Sequence, residues 1–358
     1  MTEYSTSAEV HAADKIERKQ LYERSLSLLQ RHKEKQRSDE EQGTEPPTPT
    51  SSTHSFTWFG LHSVAYSWLE QHFKDVELII ICGSSGRAQH IATELYSKYQ
   101  KFIKLFTTIG DGNFFEIYKC GPVLVCSHGI GLASVDIFLN ELMAIFKTLS
   151  HFKFKVIRLG SCGGVGVKAG TLVISTQALH YQTVEPEWHV HMLGEKLTYS
   201  GIFDEKLVQM IHDIATELSN RKIKEQSGEE EKEAKHKVPK VVVGKTFTAE
   251  TFYEGQARLD GAFCKYHESN KQEFMIKLVD LGVKNIEMEG VALAGICNKY
   301  TIPSAMIAVA FVNRLESDTI PAQASPQDLK EWMEFGVEVI IEFIHKHVFE
   351  KLETASNN

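Results

Sequence analysis

No two of the six cysteines form a CxxC pair, and Cys82, Cys120, Cys126, Cys162, Cys264 and Cys297 fall mostly in strand-like or helical runs. Met1-Thr2-Glu3-Tyr4 shows neither a charged leader nor an apolar core. The thiols therefore read as reduced, in a cytoplasmic protein. No apolar segment is long enough to span a membrane, so no membrane partner is expected. Positive charge is also short: 39 Lys and Arg stand against 47 Asp and Glu, a net charge of −8. Without a Lys/Arg stripe, a nucleic-acid surface is excluded. What remains is ordinary for a soluble globular protein, with 42% apolar and 24% charged residues. At 358 residues the chain has room for one large or two medium domains.

Residues 1–52 are the least foldable part. Charge dominates from Lys15 to Gln42, with Ile16, Leu21, Leu28 and Leu29 spaced for a short helix, and Pro46, Pro47 and Pro49 punctuate a linker. This is expected to be a disordered or loosely attached arm. A second charged island, residues 220–240 around Glu229-Glu230-Glu231, reads as an exposed loop or helical extension inserted between two core elements. Between and after these, strands and helices alternate. Val76 to Cys82 is a near-continuous apolar run, as buried parallel strands show. Further strands are predicted at Phe114–Lys119, Val123–Ser127, Val156–Leu159, Leu172–Thr176, Val241–Phe247 and Ser304–Phe311, and one ending in Asn285-Ile286-Glu287. Helical spacing marks Val135 to Leu149, Asp204–Ser219, Asn270–Leu281, Gly290–Lys299 and a last helix opened by Ser325-Pro326-Gln327-Asp328. The expected fold is a single α/β domain over residues 53–352, with a central mixed, largely parallel sheet flanked by helices.

In such a sheet, ligands gather at the carboxyl ends of strands. Gly83-Ser84-Ser85-Gly86-Arg87 is a glycine turn leading into a helix, where backbone N–H groups and one guanidinium make an anion site. Its spacing is neither the Walker pattern nor the dinucleotide fingerprint. Arg158, inside a buried strand, is costly unless an anion or a distant acid meets it; Ser161 and the following glycines add donors. The two turns suggest one phosphate held from two sides. Gly129-Ile130-Gly131 and Gly164-Val165-Gly166 are tight turns near a ligand rather than cofactor motifs. Glu185 to His191 is too loose a pattern for a metal, and none is expected.

Gln256 and Arg258 stand two apart in a segment expected to be extended, which would set an amide and a guanidinium on one wall. They suit a planar ring with adjacent carbonyl and N–H groups, such as a pyrimidine, with Phe252 as a stacking face. A solvated surface turn is the alternative. Glu287 and Glu289 end a strand and start a helix: either they accept hydrogen bonds from a vicinal diol such as ribose, or they stabilise the helix start.

Five stretches occur here in the order found in the animal-type uridine phosphorylases of the nucleoside phosphorylase family. They are Gly83-Ser84-Ser85-Gly86-Arg87, His128-Gly129-Ile130-Gly131, Arg158 to Gly164, Phe252-Tyr253-Glu254-Gly255-Gln256-Ala257-Arg258-Leu259-Asp260-Gly261 and Asn285-Ile286-Glu287-Met288-Glu289. The chain resembles that family over roughly residues 55–350. The resemblance implies phosphorolysis of uridine to uracil and ribose 1-phosphate. It needs no cofactor, because inorganic phosphate is a co-substrate. It implies that Gly83, Arg87, Arg158 and Ser161 hold phosphate; that Phe252, Gln256 and Arg258 hold uracil with Arg314 behind; and that Met288 and Glu289 hold the ribose. A homodimer or larger homo-oligomer with shared sites is implied as well. Asn313, where an Asp would recognise a purine, disfavours a purine nucleoside phosphorylase.

Two positions depart from the family. It lends a phosphate-binding arginine to the neighbouring subunit from just before Tyr118-Lys119, yet no arginine stands between Arg87 and Arg158, and Asn113-Phe114 occupy that place. It lends a sugar-binding histidine from a string where Trp58-Phe59-Gly60-Leu61 stands here. Lys101, Lys104 and Lys119 are the nearby cations that could compensate. Losing one charged hydrogen bond to phosphate costs about 1.5–3 kcal/mol.

Overall fold

The computed structural model describes residues 53–103, 105–226 and 239–356, together with five helical positions of the arm, Glu23, Ser27, Gln30, Arg31 and Glu34. The chain divides into Met1–Thr50 and Ser51–Asn358; everything below concerns the second unit. Ile16, Leu21, Leu28, Leu29 and the proline linker lie outside the described residues, as does most of the charged insert.

A hairpin of β1 (Thr53–Phe56) and β2 (Leu61–Ala65) precedes α1 (Tyr66–Phe73). Then come β3 (Leu78–Cys82), α2 (Ser85–Tyr99), β4 (Phe106–Ile109), β5 (Ile117–Cys120), β6 (Val123–Ser127) and α3 (Leu132–Thr148). β7 (Lys155–Gly164) and β8 (Leu172–His180) lead to a second hairpin, β9 (Glu187–Met192) and β10 (Glu195–Ser200), and to α4 (Glu205–Gln226). β11 (Val241–Thr248), α5 (Glu268–Asp280), β12 (Val283–Glu287), α6 (Gly290–Lys299), β13 (Ser304–Asn313) and α7 (Pro326–Ile344) follow.

Nine strands form one sheet in the order β12-β11-β8-β13-β7-β3-β6-β5-β4. Pairing is parallel through β6-β3-β7-β13 and β8-β11-β12, and antiparallel for β13 with β8 and along β4-β5-β6. The sheet is mixed and largely parallel, as the alternation of patterns implied. One added pairing closes part of it: Gly163 and Gly164 at the end of β7 meet Ile286 and Asn285 of β12. The strands β7, β13, β8, β11 and β12 thus form a ring. Closure brings the carboxyl ends of strands distant in sequence to one mouth.

Local sequence explains the elements that frame this mouth. Every residue of β3 is buried, consistent with its unbroken apolar run between helical layers. α6 is buried all round from Gly290 to Cys297, and its small residues allow that; Gly295 lies against the Trp188 ring. α7 begins with a reciprocal cap: the Asp328 N–H donates to Ser325 Oγ at 3.2 Å, and the Ser325 N–H donates back to the Asp328 carboxylate at 2.8 Å.

Some expectations change. Phe114 lies in the loop before β5, which starts only at Ile117, because Phe114 is exposed and pairs with no strand. α4 continues to Gln226, so the first part of the charged insert extends a helix. The β9–β10 hairpin, absent from the sequence reading, turns at Leu193-Gly194 with φ values of 53° and 87°, the left-handed turn that matches strand twist. Among the described residues no helix is long and apolar enough to cross a membrane.

Candidate active site

A cavity of about 720 Å³ opens where the strands end. Gly83, Arg87, Arg158, Ser161, Phe252, Gln256, Arg258, Met288 and Glu289 all line it. Arg314 lies behind that lining, fully buried, against Gln256.

One end is cationic. The turn after β3 carries Arg87, whose Nη1 donates to the Leu159 carbonyl at 3.2 Å. Among the described residues no carboxylate pairs with Arg87. Burial lowers its affinity for a proton, and Arg158 adds to this. An anion at this end would therefore be welcome. Arg158 differs. Its Nη2 bonds Glu289, its Nη1 lies 3.2 Å from Glu287 and 3.4 Å from the Met306 sulfur, and its Nε donates to His128 Nε2 at 3.2 Å. The acid that a buried arginine requires comes from the far side of the ring, brought across by the β7–β12 closure. Gly160 is what lets the guanidinium lie back over its own strand: a Cβ there would collide with it.

Glu289 accepts the Gly131 N–H at 2.5 Å as well as Arg158, so the turn after β6 and the strand β7 both orient it. Glu287 has another part. It accepts the Thr248 hydroxyl at 2.9 Å and the backbone N–H groups of Glu289 and Gly290 at 2.9 Å, capping the start of α6. For Glu287 the helix-start reading describes the geometry; Glu289 faces the cavity and the diol reading stays open to it. His128 accepts from Arg158, which places its proton on Nδ1, and burial holds its pKa well below the ordinary value.

The other end is built around Arg314. Its Nη2 donates to the Gln256 backbone carbonyl at 2.8 Å, its Nη1 to Gln256 Oε1 at 3.3 Å, and its Nε to Asp318 at 2.9 Å. A guanidinium only donates, so the amide oxygen of Gln256 must face Arg314. Gly163 makes room for this side chain; a Cβ there would stand 2.7 Å from Arg314 Cγ. Asp318 also accepts the Leu259 N–H at 2.8 Å and lies 3.2 Å from Lys271. Burial alone would raise its pKa, but that N–H and the cations Arg314 and Lys271 hold it below the usual carboxylate range.

The segment carrying Gln256 and Arg258 is not extended. Glu254–Gln256 is a 3₁₀ turn and Ala257 is left-handed, at φ 51°. Strand alternation therefore does not set these two side chains, and they reach the cavity by different routes. Arg258 forms a two-pronged pair with Asp260, at 2.8 and 2.6 Å, and donates to the Asp318 carbonyl at 2.7 Å. Its guanidinium carbon lies 4.5 Å from the centre of the Phe252 ring.

The two departures touch. Trp58 and Phe114, both exposed, meet edge to face with ring centres 4.9 Å apart. The N–H groups of Trp58 and Phe59 both donate to Glu141 of α3 at 2.9 Å. Two of the three possible compensating lysines are engaged elsewhere. Lys119 is buried against Asp75 at 2.5 Å, Lys101 pairs with Glu353 at 3.1 Å, and Lys104 lies outside the described residues. In the Glu185 to His191 stretch, His189 pairs with Glu187 at 3.0 Å and packs on His180.

The sequence matches the model of the phosphorylase superfamily over residues 77–345, three quarters of the chain. The chain belongs to the phosphorylase superfamily. Within it, the chain is 35% identical to a uridine and thymidine phosphorylase of Caenorhabditis elegans, over 76% of its length and 85% of the relative's. It is 28% identical to the inactive uridine phosphorylase B of Schistosoma mansoni, over 82% of its length and 92% of that protein's. A crystal structure of Schistosoma mansoni uridine phosphorylase in complex with uracil superimposes with a TM-score of 0.70 at 27% identity, covering 82% of this chain and 95% of that one.

Sequence reasoning passed over Thr248, His128, Lys271 and Asp318. Thr248 ends β11 and His128 directly follows β6, where strand-end reasoning could have found them. Nothing local marks Lys271 or Asp318, whose partners are distant in sequence.

Proposed function

We propose that this member of the phosphorylase superfamily cleaves uridine with inorganic phosphate, releasing uracil and ribose 1-phosphate. The observation that carries this is the fixed amide of Gln256. Clamped by Arg314, it stands beside Arg258 at one end of a cavity whose other end holds Arg87, which has no carboxylate partner among the described residues. Between them, Glu289 has lone pairs left for sugar hydroxyls. A phosphate oxygen attacks C1′ as the glycosidic bond breaks, and the bonding electrons leave with uracil. Gln256 and Arg258 receive the anionic ring, and Arg87 with the Gly83 turn and Ser161 holds the attacking phosphate. Met288 packs the sugar. No nucleophilic side chain is required, because the fixed dipoles and charges carry the catalysis. Metal and cofactor have no place in this scheme. The activity belongs to residues 53–352, in a cytoplasmic homodimer or larger homo-oligomer, with the arm of residues 1–52 outside it. The test is direct: purified protein with uridine and phosphate should release uracil, and neither uridine alone nor phosphate alone should.

A second reading is a nucleoside binder with little turnover. Arg158 is engaged by two carboxylates, and an aromatic pair stands at Trp58 and Phe114. Stabilisation by uracil on heating, without uracil release from uridine, would favour it. If turnover occurs, the phosphate KM is expected to be high, and Phe114→Arg should lower it about tenfold, the value of one charged hydrogen bond. An unchanged phosphate KM in that variant would reject the explanation of the departure.

A further inference from the structure

We propose that Glu287 is a positioning residue for the anion end of the cavity. As a carboxylate it keeps Arg158 in an ion pair, and as a neutral acid it releases that guanidinium to an incoming oxyanion, so anion affinity falls as Glu287 ionises. This deepens the phosphate reading of the same site and rests on it.

The geometry separates holding Glu287 from charging it. Three donors fix its carboxyl group without help from Arg158: the Thr248 hydroxyl and the N–H groups of Glu289 and Gly290. Thr248 is itself held, because its oxygen accepts the Val291 N–H at 3.0 Å. Protonation therefore leaves the group in place, still accepting from these three donors, and removes only its pull on Arg158. Arg158 has few other donors to give, since Nε serves His128 and Nη2 serves Glu289. The Nη1 that faces Glu287 is the arm to be freed.

Arg158, Cys162, His128 and Glu289 are the titratable groups that face Glu287. Arg158 and Cys162 come from β7, with the thiol pushed up to about 12 by burial. His128 at the end of β6 stays neutral, and Glu289 at the start of α6 is already paired. Glu287 itself is raised to about 7, chiefly by burial, with Glu289 adding and Arg158 opposing. Its ionisation therefore changes the charge beside Arg158 in this range.

Sulfate is the probe, since it keeps its charge where phosphate gains one. Calorimetric titration of the wild-type chain from about pH 5.5 to about pH 8.5 at constant ionic strength should show sulfate affinity falling about tenfold, bending near neutrality. Glu287→Gln retains an amide oxygen that can accept here and carries no charge at any pH, so it should keep the low-pH affinity throughout. Thr248→Val removes a donor from the carboxylate, so it should move the bend to higher pH. A purely structural role for Glu287 would not move these bends. Flat sulfate binding in the wild type overturns the proposal and leaves the phosphate reading standing, as does a slope in Glu287→Gln equal to the wild-type slope. If Glu287→Gln does not fold, the wild-type series and Thr248→Val decide. No sulfate binding at any pH overturns the phosphate reading and this inference together.

Discussion

Glu289→Ala is expected to abolish measurable uracil release and to destabilise the fold by about 3 kcal/mol, toward the lower end for a broken buried ion pair. The carboxylate is almost wholly buried and faces the cavity. Its loss frees the Gly131 N–H and leaves Arg158 with Glu287 as its remaining carboxylate partner. The partial compensation is why the expected cost is not larger. Glu289→Gln should recover most of the stability, because the amide oxygen can still accept from Arg158, while activity stays low. Urea midpoints and kcat/KM for uridine, measured side by side, separate the two effects. Activity within about threefold of wild type in Glu289→Ala would remove Glu289 from the sugar site.

Arg314→Met should raise the KM for uridine by about a hundredfold and leave the KM for phosphate nearly unchanged. Arg314 touches no ligand surface; it acts by pinning the Gln256 amide and by pairing with Asp318. Methionine fills similar volume but lets the amide turn over, so the ring loses its directional partner. The variant also strands a buried carboxylate, with Lys271 as partial compensation, at a cost of about 3 kcal/mol. Adding Asp318→Asn removes the stranded charge but also the nearer acid of Lys271, so it should recover part of the stability and none of the uridine KM. Steady-state kinetics with each substrate varied in turn, together with thermal melts, give the answer. A rise in both KM values would mean that the two ends of the cavity are not independent.

The strand ends were legible because their chemistry is local. An unbroken apolar run that stops at Gly83, or an arginine inside a strand at 158, announces itself without an alignment. The capped start of α7 was equally plain, because Ser325, Pro326 and Asp328 lie within four residues. The route by which Gln256 and Arg258 reach the cavity was not legible: a period of two assumes an extended chain, and the left-handed Ala257 breaks it. The use of Arg158 was not legible either. Its partners, Glu287 and Glu289, lie about 130 residues downstream and come near only through the closure of β12 on β7.

By itself the sequence determined most strands and helices of the central sheet and its flanks, which strand ends carry donors and cations, and the family to which the chain belongs, since each depends on residues close together along it. Only the tertiary structure decided how much of that charge is free. Among the described residues Arg87 stands without a carboxylate partner; Arg158 is matched by Glu287 and Glu289, which the ring of strands puts in place, and Arg258 by Asp260, two residues on in the same turn. A buried guanidinium must find a counter-charge, and which one it finds depends on distances in space rather than on spacing along the chain.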